Sequence, residues 1–232
     1  MLPAVAGASR SRRCGFERRS SVGETPRADS RRGGSATTSR YTEFVQADFS
    51  IECGADDECL EIPWASEDGA LSYRDLKRNP EFIEHLMEVQ KYSELAEFLR
   101  AANSEKSAFQ TAKCDVWFTT EIAPEEEIFE AAGKFGSYVD IFFDSPISRV
   151  SFAAHEAAVR KFERLLQSAS EMPASVEFLV RRCLFRDCDP EQHGFYLTCY
   201  VFGFGKTEVQ ARRYWETALL EVAELFGHKL SE

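Results

Sequence analysis

No stretch of this sequence approaches the ~18 consecutive apolar residues that a membrane-crossing helix requires, because charged residues interrupt every apolar run within a few positions. A soluble protein with no membrane partner is expected. Signals for cysteine pairing are missing too. Cys14, Cys53, Cys59, Cys114, Cys183, Cys188 and Cys199 make an odd set with no secretory apolar segment beside it, which suggests reduced thiols and a cytoplasmic location. Neither Cys53-x5-Cys59 nor Cys183-x4-Cys188 has the spacing of a zinc knuckle or a redox Cys-x-x-Cys. His85, His155, His193 and His228 show no metal-type spacing, and no His-Glu-x-x-His or Gly-x-Ser-x-Gly occurs. Asp56, Asp57 and Glu58 lack the ligand spacing of a calcium loop and read as a solvated acidic turn. No metal and no cofactor is expected.

Basic charge is scarce beyond residue 40. The first forty residues carry nine Arg against Glu17, Glu24 and Asp29, leaving 19 basic and 36 acidic residues of the chain's 28 and 39 for the rest. A body this acidic repels phosphate backbones, so a nucleic-acid partner is disfavoured. Residues 1–40 also have almost no large apolar side chains and cannot offset the entropy of ordering. They read as a disordered Arg/Ser/Gly-rich tail, with a presequence and a misassigned start as the alternatives.

What remains is 44% hydrophobic and 12% aromatic over the whole chain, enough for one sizeable core. A single domain is expected over 41–232, with an N-terminal strand and helical segment at 41–111 and a core at 112–232. The stretch from Phe44 to Cys53 alternates enough, at Phe49, Ile51 and Cys53, to predict one short strand, and 63–69 reads as loop. Asn79-Pro80 predicts a helix start, with Asn capping and Pro at the first position, and the apolar spacing after it predicts a broken helix over 80–103. Strands follow at 113–122, 137–144, 175–185 and 195–204, with helices from Pro124, at 152–167 and at 207–227. Gly136–Phe142 can be laid on Gly194–Tyr200, each followed by an amphipathic helix, though the matches are few enough for chance. The expected fold is α+β: a mostly antiparallel sheet of four or five strands built from a duplicated strand-strand-helix unit, two helices on one face, and the N-terminal helical segment elsewhere.

Gly203-Phe204-Gly205-Lys206-Thr207 sits where a phosphate loop would, between strand and helix. Tyr200 stands where a Walker loop needs Gly, and Glu208 stands where the dinucleotide fingerprint needs one. The glycines read as freeing the strand to turn into the helix. His155 lies on the stripe Phe152, His155, Val159, Phe162 and Leu166, so packing is its expected role, with proton transfer beside Glu156 as the alternative. Arg181-Arg182 inside a strand calls for an edge position or an ion pair with an acid.

The alternation within two strands is the most informative pattern. Val139, Ile141 and Phe143, with Leu197, Cys199 and Val201, make an apolar face suited to helices. The opposite face carries Tyr138, Asp140, Phe142, Tyr196, Thr198, Tyr200 and Phe202, and Trp117 joins it from the preceding strand. Rings and hydroxyls around one carboxylate suit a cleft for an organic molecule or a peptide. Trp117, Tyr138, Asp140, Tyr196, Thr198 and Tyr200 are therefore the candidate ligand-binding residues, unless the helical segment at 80–103 covers them. The expected function is a non-enzymatic binding or interaction module whose partner is a small molecule or a protein. The alternative is a small-molecule enzyme using a carboxylate or histidine for proton transfer.

Overall fold

Runs rich in Val, Phe, Tyr and Thr alternate with two long amphipathic stripes, and the computed structural model, which describes residues 46–167 and 172–227, arranges them as an α+β fold. In chain order the elements are β1 (Gln46–Glu52), β2 (Cys59–Ile62), a 3-10 turn (Pro80–His85), α1 (Met87–Lys91), α2 (Glu94–Ala102) and β3 (Phe109–Thr119). A second 3-10 turn (Pro124–Phe129), β4 (Gly133–Phe143), α3 (Pro146–Arg149), α4 (Phe152–Leu166), β5 (Ala174–Phe185), β6 (Gln192–Gly205) and α5 (Glu208–Leu225) complete it. The tail expected at 1–40 lies outside the described residues, as do the first residues of the expected first strand.

The sheet runs β1-β5-β6-β4-β3, and β2 pairs with β5 beyond the end of β1. Pairings among β3, β4, β6 and β5 are antiparallel, whereas β1 and β2 run parallel to β5. The sheet is thus mixed, mostly antiparallel, and six-stranded among the described residues, where four or five strands were expected. The additional strand is β2, only four residues of Cys-Leu-Glu-Ile, too short to show a period in the sequence.

The strand-edge explanation for Arg181-Arg182 is corrected, because β5 is flanked on both sides. Arg181 instead bonds Glu52 on β1, its Nε 2.8 Å and its Nη2 2.7 Å from the carboxylate oxygen Oε2. Arg182 donates from Nη2 to the Ala55 and Asp57 carbonyls, each 3.1 Å away, and so holds the turn by which β1 gives way to β2. That is the role of the acidic 54–58 segment, where Asp57 Oδ2 also accepts the Gly54 amide at 2.6 Å.

One face of the sheet packs under helices. From α4 come His155, Val159, Phe162 and Leu166, and from α5 Trp215, Leu219 and Val222, all buried against Val139, Ile141, Leu197, Cys199, Val176 and Phe178. Each large apolar side chain so buried contributes about 1.5–3 kcal/mol. Serine and threonine caps begin the two helices: Ser151 accepts from the Ala154 amide and Thr207 from the Gln210 amide. Gly203 has a specific purpose here. A Cβ on it would lie 2.1 Å from the Trp215 nitrogen and 2.3 Å from the Ala211 oxygen, so its bareness lets α5 sit directly on β6.

The 80–103 region was expected elsewhere, but its apolar stripe buries itself in this same layer. Leu95, Phe98 and Leu99 are buried in the helix-side core, Phe98 edge-on to Phe226 at 5.3 Å, and Glu94 pairs with Arg212 of α5 at 2.7 Å. It is divided into three pieces because Leu86 is extended (φ -71, ψ 134) and Tyr92 leaves the helical region (φ -136, ψ 86). Asn79 does not cap its start, contrary to expectation. Its side-chain amide donates instead to the Asp75 carbonyl at 3.2 Å, while Pro80 takes the first helical position as foreseen.

Candidate functional site

Because α1, α2, α4 and α5 all bury their apolar residues on one side, the opposite sheet face is left to loops and its own side chains. At one end, Phe142, Cys183, Phe185 and Tyr196 form a small second core with Leu60 and Ile62, roofed by Trp64 and Tyr73. Arg149 of α3 adds its guanidinium, 4.6 Å from the Phe185 ring centroid and 5.4 Å from that of Phe142. At the other end Phe129, from the second 3-10 turn, stacks on Phe204 at 4.1 Å. Between these two covers the face is left partly open among the described residues.

The rings in that opening are Trp117, Tyr138, Tyr200 and Phe202, all only partly buried. Tyr200 and Phe202 lie 6.1 Å apart with planes 6° from parallel, Trp117 stands edge-on to Phe202 at 5.9 Å, and Tyr138 bridges Trp117 and Tyr200 at 6.3 and 6.0 Å. Strand register dictates this: Tyr138 is directly opposite Tyr200, and Gly136 opposite Phe202. A Cβ on Gly136 would lie 2.6 Å from the Phe202 ring, so glycine there makes room for the aromatic group. Lys134 covers the remaining side of Phe202 at 5.0 Å while its ammonium pairs with Glu126 at 2.6 Å.

Next to the rings along the strands runs a polar chain. Glu52 holds Arg181, Arg181 Nη1 donates to Thr198 Oγ1 at 3.3 Å, and Thr198 Oγ1 donates to Asp140 Oδ1 at 2.7 Å. Asp140 is only 6% exposed. Burial pushes its carboxyl up to about 6, against the opposing pull of the Thr198 hydrogen bond and of Lys113 and Arg181. Burial and the nearby Asp140 likewise raise Tyr138 and Tyr196, and burial raises Tyr200, so all three phenols keep their protons at neutral pH. Arg181 works the other way on Tyr196 and Tyr200 but does not prevail.

All six residues singled out from alternation therefore share one face: Trp117, Tyr138 and Tyr200 in the opening, Asp140 and Thr198 buried beside it, and Tyr196 withdrawn into the roofed end. Asp140 and the tyrosines have no hydrogen bond to the 80–103 helices, whose apolar residues pack on the other side. Sequence reasoning left Arg181 outside the site because its orientation depends on β1 lying beside β5, a pairing with no signal in either strand.

A cleft of about 510 Å³ adjoins the opening, sharing Tyr138 with it. It lies between the 64–76 loop, the break before α1, and an irregularity in β3 where register shifts between Thr111 and Cys114. Trp64 fixes one wall by donating its indole N–H to the Ala112 carbonyl at 2.9 Å, and Lys113 rests on the Trp64 ring at 5.0 Å. Arg74, Glu88 and Asp115 supply the other charged groups, and His85 lines it as well.

His155 is fully buried on α4, on the helix side and away from the opening. Its Nδ1 is 2.8 Å from the Ser151 carbonyl, and the ring lies edge-on to Phe143 at 4.8 Å. Burial lowers its pKa, so it is a neutral packing residue, while Nε2 lies toward the Phe195 backbone outside hydrogen-bonding geometry. Cys183 and Cys199 are buried thiols held protonated by burial. Among the described residues no group of three or more His, Cys, Asp and Glu side chains could hold a metal ion. No protein-family model, no curated protein and no solved structure matches this chain, so the chemistry of the face rests on its own geometry.

Proposed function

We propose that this protein is a non-enzymatic binding module that takes an organic ligand on the open aromatic stretch of its sheet. One observation carries the reading: four rings stay partly exposed between two covered ends, beside a buried carboxylate that accepts from Thr198 and is linked through it to Arg181 and Glu52 on two further strands. Rings filling a core alone would be roofed, as Phe142, Phe185 and Phe204 are. A planar ligand lying on Tyr200 and Phe202 would bury apolar area on both sides and meet phenolic hydroxyls at its edge. Strands β3 and β4 before α4, and β5 and β6 before α5, repeat one order of elements. Duplication of a strand-strand-helix unit accounts for that order and places β4 and β6, the two strands of the site, side by side at the sheet's centre.

A second reading has its own support. A carboxyl with a pKa of about 6 is poised to exchange protons near neutrality, as a general base or acid must be. Asp140 does not line the cleft, however, and is buried, so binding is the better-supported reading.

The test is nuclear magnetic resonance mapping of a panel of planar organic fragments. The reading expects binders to move the Trp117 indole and the Tyr138 and Tyr200 ring signals before any helix-side signal. Binders that move only helix-side signals, or a panel without a binder, would count against it.

A further inference from the structure

The cleft beside the opening carries charges of both signs that do not meet each other. Lys113 and Arg74 line it, and neither forms an ion pair among the described residues: Lys113 lies over the Trp64 ring at 5.0 Å and Arg74 over the Phe82 ring at 5.1 Å. Glu88 and Asp115 line it as well, and neither forms an ion pair among the described residues. Asp115 Oδ1 accepts only the neighbouring Val116 amide, at 2.7 Å. Single unpaired charges on a surface are ordinary and need no explanation. These four differ because they share one concavity with Trp64 and Tyr138, in a body where acids outnumber bases and nine of the described cations find carboxylates.

Lys113 lies over Trp64 beside the β3 irregularity and Arg74 over Phe82, while Asp115 and Glu88 both act on Cys114. Residues 113 and 115 are two apart in an extended strand, roughly 7 Å between Cα atoms. A purely anionic guest would meet Glu88 and Asp115, and a purely cationic one Lys113 and Arg74. A guest with both charges satisfies both signs, and the rings of Trp64 and Tyr138 with Leu71 and Met87 offer its body an apolar bed.

We infer that this cleft binds a zwitterion with an apolar or aromatic body, a free α-amino acid with a large side chain. Its carboxylate is received by Lys113 and Arg74 and its ammonium by Glu88 and Asp115. The inference rests on the binding reading above and names the ligand class for the part of the face that Tyr138 borders.

Calorimetric titration of the full chain tests it, with L-phenylalanine and L-leucine as probes. Phenylethylamine is the cation-only comparator and 3-phenylpropanoate the anion-only one. At least one amino acid should saturate the protein and bind at least about tenfold more tightly than either singly charged analogue. Lys113→Gln and Asp115→Asn should each weaken it by roughly tenfold or more, with unchanged melting temperature. A singly charged analogue binding as tightly as the amino acid would overturn the inference, as would no saturation by either amino acid up to about 10 mM. If Trp117→Ala abolishes binding while Lys113→Gln and Asp115→Asn leave it intact, the cleft assignment falls and the aromatic opening stands. A fragment that maps to the opening while no amino acid binds separates the two in the same way.

Discussion

Trp215 on α5 donates its indole N–H to the Ser137 hydroxyl on β4 at 2.9 Å, both residues fully buried, so the longest helix is keyed to the middle of the sheet by one polar contact inside an apolar core. Ser137→Ala leaves that indole N–H without a partner and should cost about 1–3 kcal/mol of stability. Trp215→Ala also opens a cavity and should cost about 3–5 kcal/mol, as should Phe162→Ala on α4. Urea unfolding followed by circular dichroism measures all three, and near-neutral results for Trp215→Ala and Phe162→Ala would mean that these helices do not cover the sheet.

Gly203→Ala should be among the most damaging single-methyl changes in the chain. The added Cβ meets helix backbone at 2.1 and 2.3 Å, which no side-chain rotation relieves, so α5 must move off β6. Overpacking of this kind costs about 1–3 kcal/mol and sometimes more. A melting temperature equal to that of wild type would contradict the packing described.

The buried carboxyl makes stability depend on pH in a particular direction. Asp140 titrates at about 6 in the folded protein against 3.8 for an ordinary aspartate, so the folded state holds the proton more tightly. Its contribution is fully present below the unfolded value and is lost as pH rises through the folded one. Wild type should therefore lose on the order of 2–3 kcal/mol relative to Asp140→Asn between about pH 4 and pH 7. Chemical unfolding of both proteins across that range measures the difference, and parallel curves would show that Asp140 is not desolvated.

Much of this architecture is legible before any coordinates. Alternation separates Val139 and Ile141 from Tyr138 and Asp140 because a strand has no other way to present them, and register then carries Tyr138 to Tyr200. Stripe spacing likewise puts His155 and Phe162 in the core. The parallel pairing of β1 and β2 with β5 was not legible, since it joins segments more than a hundred residues apart through backbone bonds that any sequence can make. Arg181 and Glu52 depend on that pairing, and the charged cleft depends on the register shift between Thr111 and Cys114, which no glycine or proline marks. Stripe spacing predicted a broken helix over 80–103 but could not say which face it covers, and that choice decides whether the aromatic face is open.

A ligand lying in the aromatic opening must lose affinity when the rings that line it are truncated. The tightest binder from the fragment panel is titrated against wild type, Trp117→Ala and Tyr200→Ala, with melting temperatures measured alongside. Both side chains are partly exposed, so their loss should leave the fold standing, and each should weaken binding by roughly tenfold, about 1.4 kcal/mol. Affinity equal to wild type in both variants, with stability unchanged, would contradict the account.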